Sequence, residues 1–207
     1  MKTRNIFILV IVIIVIITMY NSFQGGDDLE AYTEEIQQER EDKDHFMRTS
    51  LESPIAEKDR KDFKGLNYFP PEMKYRIAAS LTPIKEKNVF VLYTNDGEEE
   101  HYLPYGYADF DLDNRHNKLL ILEIMDGENR GTLFLAFGDE TSARETYGAG
   151  RYLDVKKVPG GSSITLDFNK AYNPYCAYND SYSCPLPPKD NLLQIPIQAG
   201  EKTYHVH

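Results

Sequence analysis

From Tyr75 onward, apolar and polar positions alternate in short runs separated by turn residues, the pattern of an antiparallel sheet protein. It predicts strands at about 75–82, 88–94, 99–112, 118–125, 132–138, 151–158, 163–169 and 192–198. Asn95-Asp96-Gly97, Asp113-Asn114-Arg115, Asp126-Gly127 and Pro159-Gly160-Gly161 supply the turns, because Gly, Asn and Asp accept positive φ. Successive strands joined by such turns make a meander. Leu119 to Met125 and Leu133 to Phe137 are nearly unbroken apolar runs, so these two strands should be central and buried on both faces. Asp109, Asp111 and Asp113 alternate with Phe110 and Leu112, which sets three carboxylates on one face, expected to be solvated.

Upstream the pattern is different. Leu29, Tyr32, Ile36, Lys43, Phe46 and Met47 recur at loosely helical spacing in a stretch rich in Glu, Gln and Arg. The stripe is too thin to fold alone, so the helix either packs near Phe46 and Met47 or frays. Ser53-Pro54 reads as an N-cap followed by Pro at the first helical position, opening a short helix that ends near Phe63 and Gly65.

At the amino end, Ile6 to Ile17 is an unbroken apolar run that Thr18, Met19, Tyr20 and Phe23 extend. As a helix, residues 5–23 would cover about 30 Å, close to the thickness of a bilayer core. No A-x-A-like triplet precedes Gln24, so an uncleaved anchor is expected over a cleaved signal. Lys2 and Arg4 before the run, with the acidic stretch after it, put the N terminus in the cytoplasm and the remainder outside. The expected organisation is a cationic end at 1–4, a transmembrane anchor at 5–23 and an acidic helical stalk at 24–52. A single mainly β domain follows at 53–207, a barrel or sandwich of about eight antiparallel strands.

Length and charge narrow the classes. A chain of 207 residues has room for one core and an appendage. A net charge of −10 argues against nucleic acid as a partner, since phosphate neutralisation needs clustered Lys and Arg. Residues 27–62 carry thirteen acidic against six basic side chains, the balance of a solvated spacer.

Several long motifs stand in the last third of the chain: Glu145-Thr146-Tyr147-Gly148-Ala149-Gly150-Arg151-Tyr152-Leu153-Asp154, Leu166-Asp167-Phe168-Asn169-Lys170-Ala171-Tyr172-Asn173-Pro174-Tyr175-Cys176-Ala177-Tyr178, and Cys184-Pro185-Leu186-Pro187-Pro188-Lys189-Asp190-Asn191. With the closing Ala199-Gly200-Glu201 and the earlier Phe63-Lys64-Gly65-Leu66-Asn67-Tyr68-Phe69-Pro70, they resemble a prokaryotic family catalogued as domain of unknown function 1684. The resemblance covers about residues 45 to 202. It implies a relative and no reaction or cofactor.

The same third concentrates the candidate chemistry. Asp167 and Asn169 share one face of a strand whose other face is Ile164, Leu166 and Phe168, so they should point to solvent or to a cleft. Arg151 follows Gly148-Ala149-Gly150, where the backbone can approach another element, and its planar donors suit a carboxylate: Asp154, Asp167 or Glu201. Either that ion pair pins a long loop, or Glu145, Arg151, Asp167, Asn169, Tyr172, Asn173 and Glu201 line a cleft for a small anionic or polyhydroxylated ligand. Gly148-Ala149-Gly150 is no dinucleotide fingerprint, for it lacks the third Gly and leads into a strand.

Cys176 and Cys184 are the only cysteines, and in an exported domain a disulfide between them is expected, closing a short loop and contributing about 2–3 kcal/mol. A zinc site would need His205 and His207 to fold back over the domain, and a cysteine nucleophile has no His close in sequence. His45, His101 and His116 show no ligand spacing and read as surface residues. No metal or cofactor is expected. Two functions remain: an envelope module that binds a ligand or partner, or a hydrolase or transferase with Asp167, Glu145 or Glu201 as general acid or base beside Arg151.

Overall fold

The computed structural model describes residues 29–204, so the apolar run at 6–17, the anchor expected at 5–23 and the tail histidines 205 and 207 lie outside the described residues. Among the described residues no helix is long and apolar enough to cross a membrane. Two compact units divide at Glu41 and Asp42. In the first, the described residues are helical, with the Thr33 hydroxyl donating to the Leu29 carbonyl one turn back. This helix, α1, runs over residues 29–49, and its last two turns belong to the second unit. There Met47 is buried against Ile55, Phe63 and Leu66, so this end of the helix packs rather than frays.

The short helix after it is not capped as expected. Helix α2 is only Glu57–Arg60, and its N-cap position is Ala56, without a side-chain cap. Ser53 instead donates to the Met47 carbonyl at 2.6 Å and accepts from Ile55 N at 3.2 Å. Its hydroxyl is spent tying the chain back to the end of α1.

Seven strands follow: β1 Arg76–Pro83, β2 Phe90–Tyr93, β3 Glu99–Leu112, β4 Arg115–Ile124, β5 Leu133–Phe137, β6 Arg151–Val155 and β7 Ser163–Asp167. They form one antiparallel sheet curved into a half-barrel, ordered β6-β5-β4-β3-β1-β7 with β2 also on β3. The expected meander holds from β2 to β6 and fails at both ends. β3 is long enough to carry two partners in tandem, β2 along Glu99–Tyr102 and β1 along Gly106–Asp109. β7 then pairs with β1 and not with β6. Between the two stations β3 changes register at Pro104–Gly106, where Pro104 lacks a ladder donor and a Cβ on Gly106 would lie 2.9 Å from the Thr82 carbonyl. The β3–β4 turn places Asp113 and Asn114 at φ 50° and 60°, as a two-residue hairpin requires.

Both faces of the central strands are covered. Leu119, Ile121, Leu133, Leu135 and Phe137 face one core with Phe110, Leu166 and Phe168, while Leu120, Leu122, Phe134 and Ala136 face a second with Tyr102, Tyr152, Cys176 and Cys184. The strand expected at 192–198 does not form. Leu193, Ile195, Ile197 and Ala199 do alternate inward, but Pro196 interrupts the donors and the segment lies on the first core as an extended strap. Asp111 and Asp113 are exposed, Asp109 is half-buried, and exposed His116 sits 3.5 Å from Asp109 and 3.1 Å from Asp111.

Candidate functional site

Arg151 is the first residue of β6, and it points inward. The turn before it requires glycine: Gly150 has φ 95°, and a Cβ there would meet the Phe137 carbonyl at 2.7 Å and Pro187 at 2.6 Å. The guanidinium is 1% exposed. Nη2 donates to Asp139 Oδ2 at 2.9 Å and to the Ile197 carbonyl at 2.8 Å, and Nη1 donates to the carbonyls of Ala199 and, at 3.2 Å, Glu201. Burial loosens the guanidinium's hold on its proton, and Asp139 opposes that. The carboxylate is thus Asp139, where the sequence offers Asp154, Asp167 or Glu201. Asp139 Oδ1 in turn accepts from Thr141 N at 2.8 Å, Thr141 Oγ1 at 2.6 Å and Ile197 N at 3.1 Å. Arg151 and Asp139 together supply the strap with the partners that a neighbouring strand would otherwise give.

Glu201 lies at the far end of the strap, and its carboxylate has partners other than Arg151. It accepts from Lys43 Nζ at 2.9 Å, Asn173 N at 3.2 Å, Asn173 Nδ2 at 2.9 Å and the Tyr178 hydroxyl. Burial and this carboxylate push the Tyr178 phenol well above its ordinary range. Lys43 also lies 4.8 Å over the ring of Tyr172, whose hydroxyl donates to Asp154 at 2.9 Å. Tyr172 pairs by its backbone with Tyr152 and so covers part of the outer edge of β6.

The other expected residues go elsewhere. Asn169 is buried, not turned to solvent or a cleft, because the chain leaves β7 through the 3-10 turn Phe168–Lys170 and rotates off the strand's alternation. Its amide makes a paired hydrogen bond with the backbone of Glu72, 2.9 Å each way. Asp167 caps that turn through Asn169 N at 3.2 Å and lies 3.9 Å from Arg76. Glu145 is half-buried and accepts from Gln198 Nε2 at 3.4 Å. The seven therefore do not converge on one cavity. Arg151, Asn173 and Glu201 belong to one buried network, and Asp167 with Asn169 to another. Cys176 and Cys184 are free thiols side by side in the second core. The disulfide expected between them is not formed, and the two sulfurs meet as thiols. Among the described residues no group of His, Cys, Asp and Glu is arranged to hold a metal.

An open cleft of about 320 Å³ lies where the end of β5, the Gly148–Gly150 turn and the start of the strap meet. Gly138, Asp139 and the Gly148–Gly150 backbone line it together with Pro187, Leu192 and Leu193, and Glu140, Ser142 and Gln194 bring polar atoms. Ser142 Oγ accepts from Asp139 N at 3.1 Å, and Gly138 bonds Leu193 N and Asn191 O, so the lining is cross-tied. Asp139 reaches both places: it lines the cleft, and its carboxylate is held by Arg151. The sequence pattern gives no site role to Asp139, nor to Lys43 and Asn191, which it places only on the helical stripe and at the end of the Cys184–Asn191 motif. Only the Asp139-x-Thr141 spacing, a local side-chain turn, offered a signal.

Residues 61–202 match the family described as Protein of unknown function (DUF1684). The chain belongs to that family. It is also similar to the uncharacterized protein from gene locus rrnAC0354 of Haloarcula marismortui, solved by solution NMR, at 38% identity and a TM-score of 0.68 over 87% of this chain and 99% of the other. None of the curated proteins matches. For this DUF1684 chain the comparisons fix the kinship and the fold, and the reading of the site rests on its own geometry.

Proposed function

We propose that this DUF1684 chain is a membrane-tethered binding module that takes a small polyhydroxylated ligand, of sugar or polyol type, in the cleft between Gly138, Gly148–Gly150 and Gln194. The observation that carries the reading is a cleft of about 320 Å³, at the lower end of ligand-site sizes, whose lining is fixed from behind by the Arg151–Asp139 pair. A lining held this way needs little ordering when a ligand arrives. Its chemistry favours hydroxyls over anions: the described lining residues include acidic and amide side chains and no Lys or Arg, while Pro187, Leu192 and Leu193 give an apolar wall for the C–H face of a ring. The carboxylates first suggested for acid–base work, Asp167 and Glu201, are engaged with Arg76, Asn169, Lys43, Asn173 and Tyr178, which supports binding over a carboxylate–arginine hydrolase. The apolar run 6–17 behind Lys2 and Arg4 supports the tether, with the domain on the extracytoplasmic side.

NMR titration of the domain with a panel of neutral mono- and disaccharides tests this. At least one should shift the amides of Gly138, Gly148 and Gln194, and Leu192→Glu should abolish the shifts while leaving the melting temperature unchanged. No perturbation at the cleft by any member of the panel overturns the reading.

A further inference from the structure

Two thiols that the cleft does not use sit in the second core. Cys176 lies in the 3-10 turn Tyr175–Ala177, and seven residues separate it from Cys184. The Cys176 N–H donates to Cys184 Sγ at 3.2 Å, and the Tyr147 hydroxyl donates to Cys176 Sγ at 3.7 Å. The two side chains are 5% and 6% exposed, yet Asp180, Ser181 and Ser183 between them are in solvent. The β2–β3 turn clips that loop: Cys184 N donates to Asn95 Oδ1 at 2.7 Å and Ser183 Oγ to Asp96 Oδ1 at 2.6 Å. Asn95 N also donates to the Cys184 carbonyl and the Tyr182 ring stands edge-on to Tyr175, so the loop is held against this turn with its tip in solvent.

The pair is chemically unequal. The hydrogen bond from Cys184 brings the Cys176 thiol down to about 7 against the opposing effect of burial, with Tyr147 adding to the fall, and the same bond pushes Cys184 up. The first proton leaves the pair easily and the second is held. Buried cysteines that serve only packing are inert, and nothing in that role calls for a second sulfur and a phenol aimed at the first.

We propose that Cys176 and Cys184 form a reversible dithiol–disulfide exchange site, with Cys176 as the attacking sulfur, Cys184 as the resolving sulfur and Tyr147 as the group that positions Cys176. The co-reactant is a disulfide, small or carried on a thiol oxidoreductase. The Cys176 thiolate attacks one sulfur of it, forming a mixed disulfide and expelling one thiolate. Cys184 then loses its proton and attacks Cys176 Sγ, closing the intramolecular bond and expelling the second thiolate. Two protein thiols are oxidised and one external disulfide is reduced to two thiols, so two electrons and two protons are transferred.

The test uses the folded full-length protein and glutathione disulfide as probe. After equilibration in an oxidising glutathione buffer, alkylation under denaturing conditions should find neither thiol, and dithiothreitol should restore both. Cys184→Ser should stop at one glutathionyl group on Cys176, because no resolving thiol remains, whereas the wild-type rate should rise with pH up to about 7 and then level. Cys176→Ser should react at least about tenfold more slowly than the wild type at neutral pH, because burial still holds the Cys184 proton and the Tyr147 hydroxyl is aimed at Cys176. Tyr147→Phe should change the rate and its pH profile, not the final extent. Two thiols still fully alkylated in the wild-type protein after equilibration overturn the proposal, and so does trapping of Cys176→Ser as fast as the wild type. Sugar binding at the cleft is measured separately and is not a readout here.

Discussion

Arg151 and Asp139 meet as a fully buried ion pair, Nη2 to Oδ2 at 2.9 Å, and between them bind the strap at Ile197, Ala199 and Glu201. Removing one partner strands the other charge, which costs roughly 3–5 kcal/mol against about 0–1 kcal/mol for an exposed pair. Arg151→Met is therefore expected to lower unfolding free energy by the larger amount, and so is Asp139→Asn. In denaturant titrations the double variant should be markedly less destabilised than the two singles added together, because each single already loses the same contact. Additive losses would mean that the pair is not coupled.

Asn191 should be nearly as intolerant. β4 and β5 exchange ladder pairs only at Leu122–Phe134 and Glu123–Leu133, and beyond these the Asn191 side chain fills the gap. Its Oδ1 accepts from Leu120 N at 2.7 Å, and its Nδ2 donates to the carbonyls of Leu120 and Ala136 at 2.9 and 2.8 Å. Asn191→Leu keeps the branched shape, though in a bulkier side chain, and leaves three buried backbone groups without that partner, each costing about 1–3 kcal/mol. The expected result is a loss of at least about 3 kcal/mol by chemical denaturation. Amide exchange at Leu120 should accelerate well beyond that of Leu122.

Alkaline pH should unfold the domain earlier than its charge alone implies. Burial pushes the phenols of Tyr102, Tyr152, Tyr172 and Tyr178 above their ordinary value of 10.0, aided at Tyr102 by Glu100, at Tyr172 by Asp154 and at Tyr178 by Glu201. With folded-state values above the unfolded one, the folded form holds more protons. Its stability is then intact below about pH 10 and falls as pH rises further, by about 1.4 kcal/mol per pH unit for each such group. A phenolate absorbance titration should show these tyrosines ionising together with the loss of folded circular dichroism. Smooth titration at ordinary values in a folded domain would contradict the burial.

The full chain is expected to stay with membranes through an alkaline carbonate wash, while a chain beginning at Asp42 should be released. Protease added from the outside should digest the domain. Soluble protein beginning after residue 20 would mark the apolar run as a cleaved signal.

The sheet was legible wherever a strand obeyed the alternation of two and ended at a residue tolerant of positive φ. β3 and the Asp113-Asn114 turn are examples, and the double-sided burial of β4 and β5 followed from their unbroken apolar runs. Pairing over distance was not legible, because nothing local records that β3 is long enough for two partners or that β7 returns to β1. At the site, Arg151 stood out through the glycines before it. Asp139 did not, since Gly138-Asp139-Glu140-Thr141 has the composition of an exposed turn and only the fold turns it inward. The strap shows both sides of the limit: its alternation was correct, yet at Ile197 and Ala199 its hydrogen bonds go to the side chains of Asp139 and Arg151, and periodicity carries no information about those.

That strap also orders events during synthesis. Arg151 emerges with β6, but the carbonyls of Ile197, Ala199 and Glu201 that receive its protons are made nearly fifty residues later, 46, 48 and 50 positions on. Until they arrive, burying the guanidinium would leave most of its donors unmet, so the first core cannot close over β6 and the nascent sheet must keep that flank hydrated. Completion of the domain is thus a late event in vectorial translation, with a single cation acting as the latch that the last segment of the fold slides beneath.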